Sequence, residues 1–472
     1  MDQLPVPFAA DGGVPAGYGG ARVSAPDLAV PPTLVHDGLG EPPPAFVRTK
    51  PSADERKILA AIEAEAGWMV DLLARLVQAP TVLGNEQPGQ DVMREAFAEM
   101  DLDPVGVPMD PEAIRGHQGH APFDWDVRDK ENLVATWEPS GDGGGRSLIL
   151  NGHIDVVPPE PVGQWKSPPF HARRDGDWLY GRGAADMKCG LAAMTGAVRG
   201  LKRLGLSPGA PVHLQSVVEE ECGGNGTLAC LLAGYTADAA IIAEPFGAAI
   251  TTSQVGVLWF RVKVKGVAGH AAEHAVGPNA IEKSYAIMQA LRRFESQLNL
   301  DPPPPYERFA HPINLNVGAI QGGDWASTVP GECETSYRIA LYPRMRVRDL
   351  QDQIEAVVAE TAAEDPAIFS HPPEVHYGGF ACEGYEIATD APLVTSLANA
   401  FARGTGDPPA LVATTGTTDA RVFGLYGGTP AVCFGPYAER AHGVDERVYL
   451  PSVVQTAQVM GLFIRDWCGL TG

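Results

Sequence analysis

The chain has 472 residues, 44% of them hydrophobic, and a formal net charge of -23 at pH 7, which allows two or three domains and excludes a basic surface for nucleic acid. No run reaches the roughly 18 apolar residues that a membrane helix needs, and the first residues lack the basic and apolar regions of a signal peptide. Because the seven cysteines show no CxxC spacing, we expect a reducing compartment, and therefore a cytoplasmic protein with neither membrane nor nucleic-acid partners.

The N-terminal part begins with an irregular arm and continues with helices. Residues 1–51 are rich in Pro, Gly and Ala without a helical or strand period, which predicts a separate N-terminal arm. Ser52 with Glu55 three residues later is a capping box, and it starts an amphipathic helix that we expect to run to residue 77. The next predicted elements are a helix at 90–100, a polar segment at 104–126 and a strand at 132–137.

Three short apolar strands are predicted in the middle of the chain, and each is followed closely by candidate metal ligands. Short apolar runs bounded by glycine and charge are typical of buried parallel strands. In an open α/β sheet, ligands gather at the carboxyl ends of such strands, so we expect these side chains to meet at one edge of a mostly parallel sheet. The runs are 147–150 before His153, 212–218 before Glu219, Glu220 and Glu221, and 239–242 before Glu244.

The pattern changes near Gly256, since residues 259–265 alternate strictly between apolar and polar. Such alternation is typical of a strand with one face in water. The order that follows is β-α-β-β-α-β, which predicts an inserted split-βαβ, ferredoxin-like α+β domain at 256–384. The α/β catalytic domain is then formed by 52–255 and 385–472. Its last predicted elements are a helix from residue 392, a strand and loop at 411–416, a strand at 431–434 and a helix from residue 452.

The residues after the central strands indicate a metal site built from imidazole and carboxylate. In the H-x-D pair, Asp155 can reach the far nitrogen of His153 and fix its tautomer. Asp186 lies on a glycine-rich loop ahead of an Ala/Leu/Met-rich helix. The glutamates 219–221 repel one another at a strand end, and a nearby cation is the simplest way to keep them ionised. A lone histidine after an apolar strand is more often a hydrogen-bonded core residue, but the presence of several other candidate ligands favours a metal ligand here.

Six motifs in a fixed order along residues 52–472 carry a family resemblance: NGHIDVVP, GRGAADMK, VVEEECGGNGT, AEP, GVAGHAA with GPNAI, and AHGVDE. Together they resemble the M20 metallopeptidases, which include acetylornithine deacetylases, succinyl-diaminopimelate desuccinylases, aminoacylases and several di- and carboxypeptidases. The arm and the segment 104–126 fall outside the resemblance. It implies a zinc-peptidase-like catalytic domain and a site for two Zn²⁺ ions, which Co²⁺ or Mn²⁺ could replace.

The same resemblance implies the ligands and the general base. Asp186 would bridge two ions, and ions about 3.5–4 Å apart sharpen a water nucleophile at neutral pH. Glu220 would be the base that takes a proton from that water and returns it to the departing amine. The other ligands implied are His153 and Glu244 for one ion, and Glu221 and His442 for the other.

Three further residues receive supporting roles from the resemblance. Asp155 would orient His153, and Asp419 would buttress the site near His442 and take part in substrate binding. His270 would reach across a dimer interface and stabilise the oxyanion in the partner's site. We therefore expect a homodimer in which the inserted domain is both the lid and the dimer contact.

Two departures from the family pattern concern substrate binding. Ser327 takes the place of the usual Asn in the motif GG-x-x-x-N, and Trp325 is bulkier than the usual small residue. Where relatives have the arginine of D-x-R-x-x-P, this chain has Ala340. Arg338 lies two residues earlier on the same strand face and could partly substitute for it. The resemblance therefore carries over the metal chemistry but not the substrate.

The reaction that we expect is metal-dependent hydrolysis of an amide in a small N-acylated molecule, such as an N-acyl amino acid, as in acetylornithine deacetylase. The alternative within the enzymes is a di- or carboxypeptidase of the same family. The alternative outside them is a metal-free binding protein on the same scaffold. That alternative would require lost ligands, and every predicted ligand position is filled.

Overall fold

A computed structural model describes residues 50–140, 144–247, 249–273, 277–364, 366, 369 and 371–472. The predicted arm, 1–51, therefore lies outside the described residues except for its last two. Within the described part of the chain, no helix combines the length and the apolarity that crossing a membrane requires.

A large mixed sheet forms the centre of the molecule. Its middle strands run parallel to one another, and antiparallel strands flank them on both sides. This arrangement confirms the predicted α/β class. The strand order is Val105–Pro108, Glu131–Trp137, Val212–Val217, Leu148–His153, Ala240–Ile242, Ala431–Cys433, Ala249–Gln254 and Tyr385–Glu386, and Ala410–Thr414 also pairs with Ala249–Gln254.

The helices pack against this sheet and one another through glycines that leave room for larger neighbours. A Cβ atom at Gly461 would lie 2.3 Å from Ile62, and one at Gly196 would lie 2.2 Å from the sulfur of Met69. Larger side chains at these glycines would therefore push the helices apart. Further helices of this body are Gln87–Ala98, Pro111–Arg115, Lys188–Arg203, Asn225–Leu232, Pro392–Thr405, Ala420–Tyr426 and Leu450–Cys468.

The helix expected to run unbroken to residue 77 is interrupted. Two helices, Ala53–Glu63 and Ala66–Gln78, take its place, and the capping box predicted at the start of the first is present. Glu65 lies at the interruption, where its carboxylate pairs with Nε of Arg199 at 2.6 Å. The ion pair is a tertiary contact, and neither of the two residues between the helices, Ala64 and Glu65, is a glycine or a proline.

A second, antiparallel sheet packs with two long helices around its own apolar core, which includes Phe260, Leu291 and Ile354. Along the chain its elements follow the predicted order β-α-β-β-α-β. The role of this body as lid and dimer contact stays a prediction. The strand order is Leu315–Gly322, Glu332–Leu341, Gly256–Lys265 and Glu374–Cys382, and the helices are Ala280–Leu298 and Val347–Glu364.

Small sheets complete the fold at its edges. Trp178–Tyr180 pairs with Arg173–Asp175 on one side and with Arg447–Tyr449 on the other, and Arg447–Tyr449 also pairs with Ala438–Glu439. This sheet joins two loops that are more than 200 residues apart in the chain. Shorter ribbons are Ser207–Pro208 with Leu470–Thr471 and Gly269–His270 with Thr328–Val329.

Candidate metal centre

Neighbouring strands of the large sheet end at the same level and deliver acidic and imidazole side chains there. In the parallel pairing, His153 lies beside Val217, and Asn151 lies beside Ile242. The turn of three glutamates after Val217 therefore starts level with His153. Glu244 is level with His153 as well, because each lies two residues beyond a paired position. The register of the sheet thus brings the predicted ligands of three strands together.

The remaining two predicted ligands, Asp186 and His442, come from the loops that the small sheet joins. Trp178–Tyr180 precedes the loop of Asp186, and its partner strand Arg447–Tyr449 follows the loop of His442. The pairing of these strands places both loops over the carboxyl edge of the large sheet.

The five side chains form a cluster centred on Asp186. Its Oδ1 is 3.1 Å from Nε2 of His153, and its Oδ2 is 3.3 Å from Nε2 of His442. Glu244 Oε1 lies 3.7 Å from Nε2 of His153, and Glu221 Oε2 lies 3.0 Å from Nε2 of His442. Asp186 therefore stands between two histidine–glutamate pairs, with one carboxylate oxygen facing each histidine.

Glu220 lies as close to this cluster as a ligand would. Among the described residues, His153, Glu220 and Glu244 have ligand atoms within 4.8 Å of one another, as do His153, Asp186 and Glu221. Glu220 Oε2 is 4.0 Å from Nε2 of His153. Its other oxygen, Oε1, is buried and has no hydrogen-bond partner in the described part of the chain. Glu220 is thus a sixth polar side chain at the cluster, beside the five predicted ligands.

The charges of the cluster favour a bound cation. Burial raises the pKa of Glu244 and that of Glu220 well above the ordinary value, and neighbouring carboxylates raise both further. Burial would also raise the pKa of Asp186, but hydrogen bonds with His153 and His442 lower it. A cation among these acids would replace the water they have lost and stabilise their charged form. Carboxylate oxygens with imidazole nitrogens suit Zn²⁺, and Mn²⁺ or Co²⁺ less specifically, so the donor set fits the predicted ions.

Asp155 holds His153 with its backbone and the glutamate turn with its side chain. Its carbonyl oxygen is 2.9 Å from Nδ1 of His153, whereas its carboxylate is 3.7 Å from that nitrogen. Since a carbonyl only accepts, Nδ1 carries a proton, and Nε2 faces Asp186, where its lone pair would bind an ion. The carboxylate accepts from the backbone N–H groups of Glu220 and Glu221 at 3.2 and 3.0 Å. The orientation of His153 that was predicted for Asp155 would therefore act through the backbone carbonyl.

Glu219 points away from the cluster and anchors the turn from behind. Its Oε1 accepts from Nε1 of Trp125 at 2.7 Å and lies 3.0 Å from Nζ of Lys130. That lysine is also 2.7 Å from Glu86. Glu219 has a φ of 62°, a left-handed conformation that a non-glycine residue adopts when its surroundings hold it there. Sequence reasoning missed Trp125 and Lys130, which lie about 90 residues before their partner, and no spacing pointed to them.

Asp419 lies on the glutamate side of the site. It is fully buried, and its Oδ2 accepts from Oγ1 of Thr227 at 2.6 Å. Thr227 belongs to the helix that follows the glutamate turn, so the contact buttresses that turn. The role expected of Asp419 near His442 stays a prediction. The guanidinium of Arg421 is 3.8 Å from the other carboxylate oxygen, and burial raises the pKa of Asp419.

Arg338 lies half-buried in the second sheet and reaches the large body. It donates to the carbonyls of Asn314 and Thr415, each at 3.4 Å. Among the described residues, no acidic side chain forms an ion pair with it, and burial lowers its pKa. Ala340, at the position of the usual family arginine, is fully buried. Arg338 is thus a cation held near the loop of Asp419 by weak contacts.

His270, Ser327 and Trp325 lie together on an exposed ribbon of the second body, not in the cluster. His270 pairs with Thr328, and the backbone of Ala271 donates to the carbonyl of Ser327 at 2.9 Å. Trp325 is 72% exposed. Their predicted contacts with substrate would therefore need the ribbon to approach a site, of this chain or of a second copy.

Comparisons with known proteins give a family, relatives in sequence and relatives in fold. The family model described as peptidase family M20/M25/M40 matches residues 149–466. The N-formyl-4-amino-5-aminomethyl-2-methylpyrimidine deformylase of Halalkalibacterium halodurans is 31% identical, over 73% of this chain and 85% of its own. The succinyl-diaminopimelate desuccinylase of Paracoccus denitrificans is 31% identical over 72% and 88%. In fold, the chain is similar to human carnosine dipeptidase 1, with a TM-score of 0.72 and 16% identity over 89% of this chain and 99% of that one.

Proposed function

Because the chain belongs to peptidase family M20/M25/M40, we propose that its buried acid cluster is a two-metal centre that removes a small acyl group from an amine. The family was predicted by the six motifs, and the match confirms it. The chain is a hydrolase of amide bonds, like the deformylase and the desuccinylase that it resembles. The observation that carries the two-metal proposal is the position of Asp186, whose two oxygens face different histidines.

The five predicted ligands divide into two sets that share Asp186. His153 and Glu244 complete the first set, and Glu221 and His442 complete the second. Divalent ions held there would acidify a water molecule and polarise the carbonyl of the amide. The chain itself supplies the orientation, since the carbonyl of Asp155 accepts from Nδ1 of His153 and leaves Nε2 aimed at the cluster.

Glu220 is the carboxylate left over when the five ligands are assigned. Its buried Oε1 has no partner among the described residues, so it is available to take a proton from water. Burial among other acids raises the pKa of Glu220, which favours proton uptake during attack on the amide. The same carboxyl group would then deliver that proton to the nitrogen of the departing amine.

The substrate proposal rests on two positions of one strand: Arg338 carries a positive charge, and Ala340 carries none. The deformylase relative acts, by its name, on a formylated aminomethyl pyrimidine, an amine without a carboxylate. Buried Ala340 offers nothing to a carboxylate, which agrees with a substrate of that kind. We therefore propose an N-formyl or other short N-acyl group on a small amine. An N-acetyl amino acid is the second candidate, because Arg338 has no acidic partner among the described residues and could bind a carboxylate.

A substrate panel tests this order. We expect kcat/KM for N-formyl aminomethyl heteroaromatic amines to exceed that for N-acetylornithine and for dipeptides by about 100-fold. Arg338→Gln should lower kcat/KM for N-acetylornithine and leave that for the formylated amine nearly unchanged. The values are to be measured with the metal-loaded protein. Faster hydrolysis of dipeptides would favour the peptidase alternative, and less than one equivalent of metal with no hydrolysis would favour the binding protein.

The exposed ribbon leads to the proposal that the active unit is a homodimer. His270 lies on that ribbon, outside the cluster of its own chain. A second copy could present this histidine to the cluster, where an N–H donor would stabilise the oxyanion formed when water attacks the amide. Trp325, exposed beside it, would be covered by the same contact.

Mixing two inactive variants tests the dimer proposal. His270→Ala chains keep Glu220, and Glu220→Ala chains keep His270, so one site of each mixed dimer holds both groups. At equal amounts and full exchange, about a quarter of all sites are complete, and we expect about a quarter of wild-type activity. Each variant mixed with itself is the control. No recovery, when subunit exchange has been shown with labelled chains, would contradict action across the interface.

A further inference from the structure

A buried ion pair lies between the loops that carry Asp186 and His442. Arg182 is 1% exposed and Glu446 0%, and Nη1 of the arginine donates to Oε2 of the glutamate. Neither residue is a ligand, a base or a substrate contact in the function proposed above. Fully buried charges are rare unless they are paired, and this pair lies directly behind the cluster.

Other polar atoms of the pair bind the backbone of both ligand loops. Glu446 Oε1 accepts from the N–H groups of Ala185 and Asp186 at 2.8 and 2.9 Å. On the other side, Nη2 of Arg182 donates to the carbonyl of His442 at 3.2 Å. The pair therefore connects the backbone of the shared carboxylate with the backbone of a histidine ligand.

The loop of His442 needs such a restraint, because its backbone is strained. His442 has a φ of 63°, and Arg440 and Asp445 have φ values of 62° and 55°. Non-glycine residues keep left-handed conformations only where the surrounding structure determines them. Glu446 follows this loop directly, and its own carbonyl accepts from the N–H of Gly181 at 3.0 Å. The loop is thus held at its end through Glu446 and in its middle through the contact of Arg182 with His442.

We propose that Arg182 and Glu446 are positioning residues that set the distance between Asp186 and His442, and with it the affinity for the ion that those two ligands share. The proposal rests on the two-metal function proposed above. Neither side chain would touch the substrate, so their effect on the reaction passes through the ligands. Groups that orient ligands in this way change metal affinity by about 10- to 100-fold in other proteins.

Two conservative variants test the proposal. Glu446→Gln keeps an oxygen for the N–H groups but removes the charge opposite Arg182. Arg182→Lys keeps the positive charge at this position but replaces the planar guanidinium with a single ammonium nitrogen. That nitrogen cannot reproduce both the contact with Glu446 and the contact with the carbonyl of His442. We expect the weaker of the two Zn²⁺ equivalents to bind about 10- to 100-fold less tightly in each variant. Affinity is to be measured with the full chain by competition with a chromogenic chelator, and melting temperatures are recorded without added metal.

Glu55→Gln is the matched control. Glu55 is also buried, at 5% exposure, and it pairs with Arg403 at 2.8 Å and Arg465 at 2.9 Å between helices, away from the cluster. We expect it to lower the melting temperature without changing Zn²⁺ affinity.

The outcomes separate this proposal from the one on which it rests. Unchanged Zn²⁺ affinity in Arg182→Lys and Glu446→Gln, with a melting temperature lowered as in the control, would overturn the positioning role. If Glu446→Gln does not fold, Arg182→Lys alone decides, since it leaves no buried charge unpaired. A wild-type chain that binds fewer than two equivalents of Zn²⁺ would contradict the two-metal function instead.

Discussion

Glu220→Gln is expected to lower kcat by about 10²- to 10⁴-fold and to leave the bound metal unchanged. Glutamine has the shape of glutamate and fits the same buried position, but its amide cannot take up a proton. Glu220 Oε1 has no other partner among the described residues, so the substitution breaks no hydrogen bond that holds the fold. The measurements are kcat with the best substrate of the panel, and metal per chain by emission spectrometry.

The same substitution one residue earlier is the control. The carboxylate of Glu219 is bound by Trp125 and Lys130 behind the turn, so Glu219→Gln should lower stability and keep kcat within about tenfold. A Glu220→Gln protein with kcat within about tenfold of wild type would remove Glu220 from the base role. Loss of metal from that variant would make Glu220 a ligand, as its distance of 4.0 Å from His153 also permits.

The ligands could be predicted from the sequence because they are tied to regular structure. Short apolar runs mark parallel strands, and parallel strands end at one edge, so His153 and Glu244 are expected at the same edge of the sheet. The register then places them level with each other. Asp186 and His442 lie on loops, and only the resemblance to a family connected them with that edge.

What could not be predicted depends on contacts between distant residues or on the backbone. Arg182 and Glu446 are 264 residues apart, and no periodicity relates two loop residues at such a separation. The contact of Asp155 with the far nitrogen of His153 is made by its backbone carbonyl. Every residue has a carbonyl, so its use leaves no trace in the residue type. The break between the first two helices was not predicted either. It coincides with an ion pair between Glu65 and Arg199, which lie far apart in the chain.

Asp186→Asn is expected to have the largest effect of all, with loss of at least one equivalent of metal and a fall in kcat/KM of about 10³-fold or more. Asparagine has one oxygen and one NH₂ group, and the NH₂ group cannot bind a cation. Asp186 uses both oxygens, one towards His153 and one towards His442. The asparagine can therefore bind an ion together with one of the two histidine–glutamate pairs, but not with both. Metal per chain and kcat/KM are to be measured on the same preparation.

Asp238→Asn is the control for this change, because Asp238 accepts from the backbone and the hydroxyl of Ser147 at an exposed site. It should keep full metal and activity. Two tightly bound equivalents in Asp186→Asn would show that the ions share no carboxylate at this position, and the two-metal proposal would lose the observation that carries it. Metal loss in Asp186→Asn, beside full metal in inactive Glu220→Gln, would instead assign ion binding and proton transfer to different carboxylates of one buried cluster.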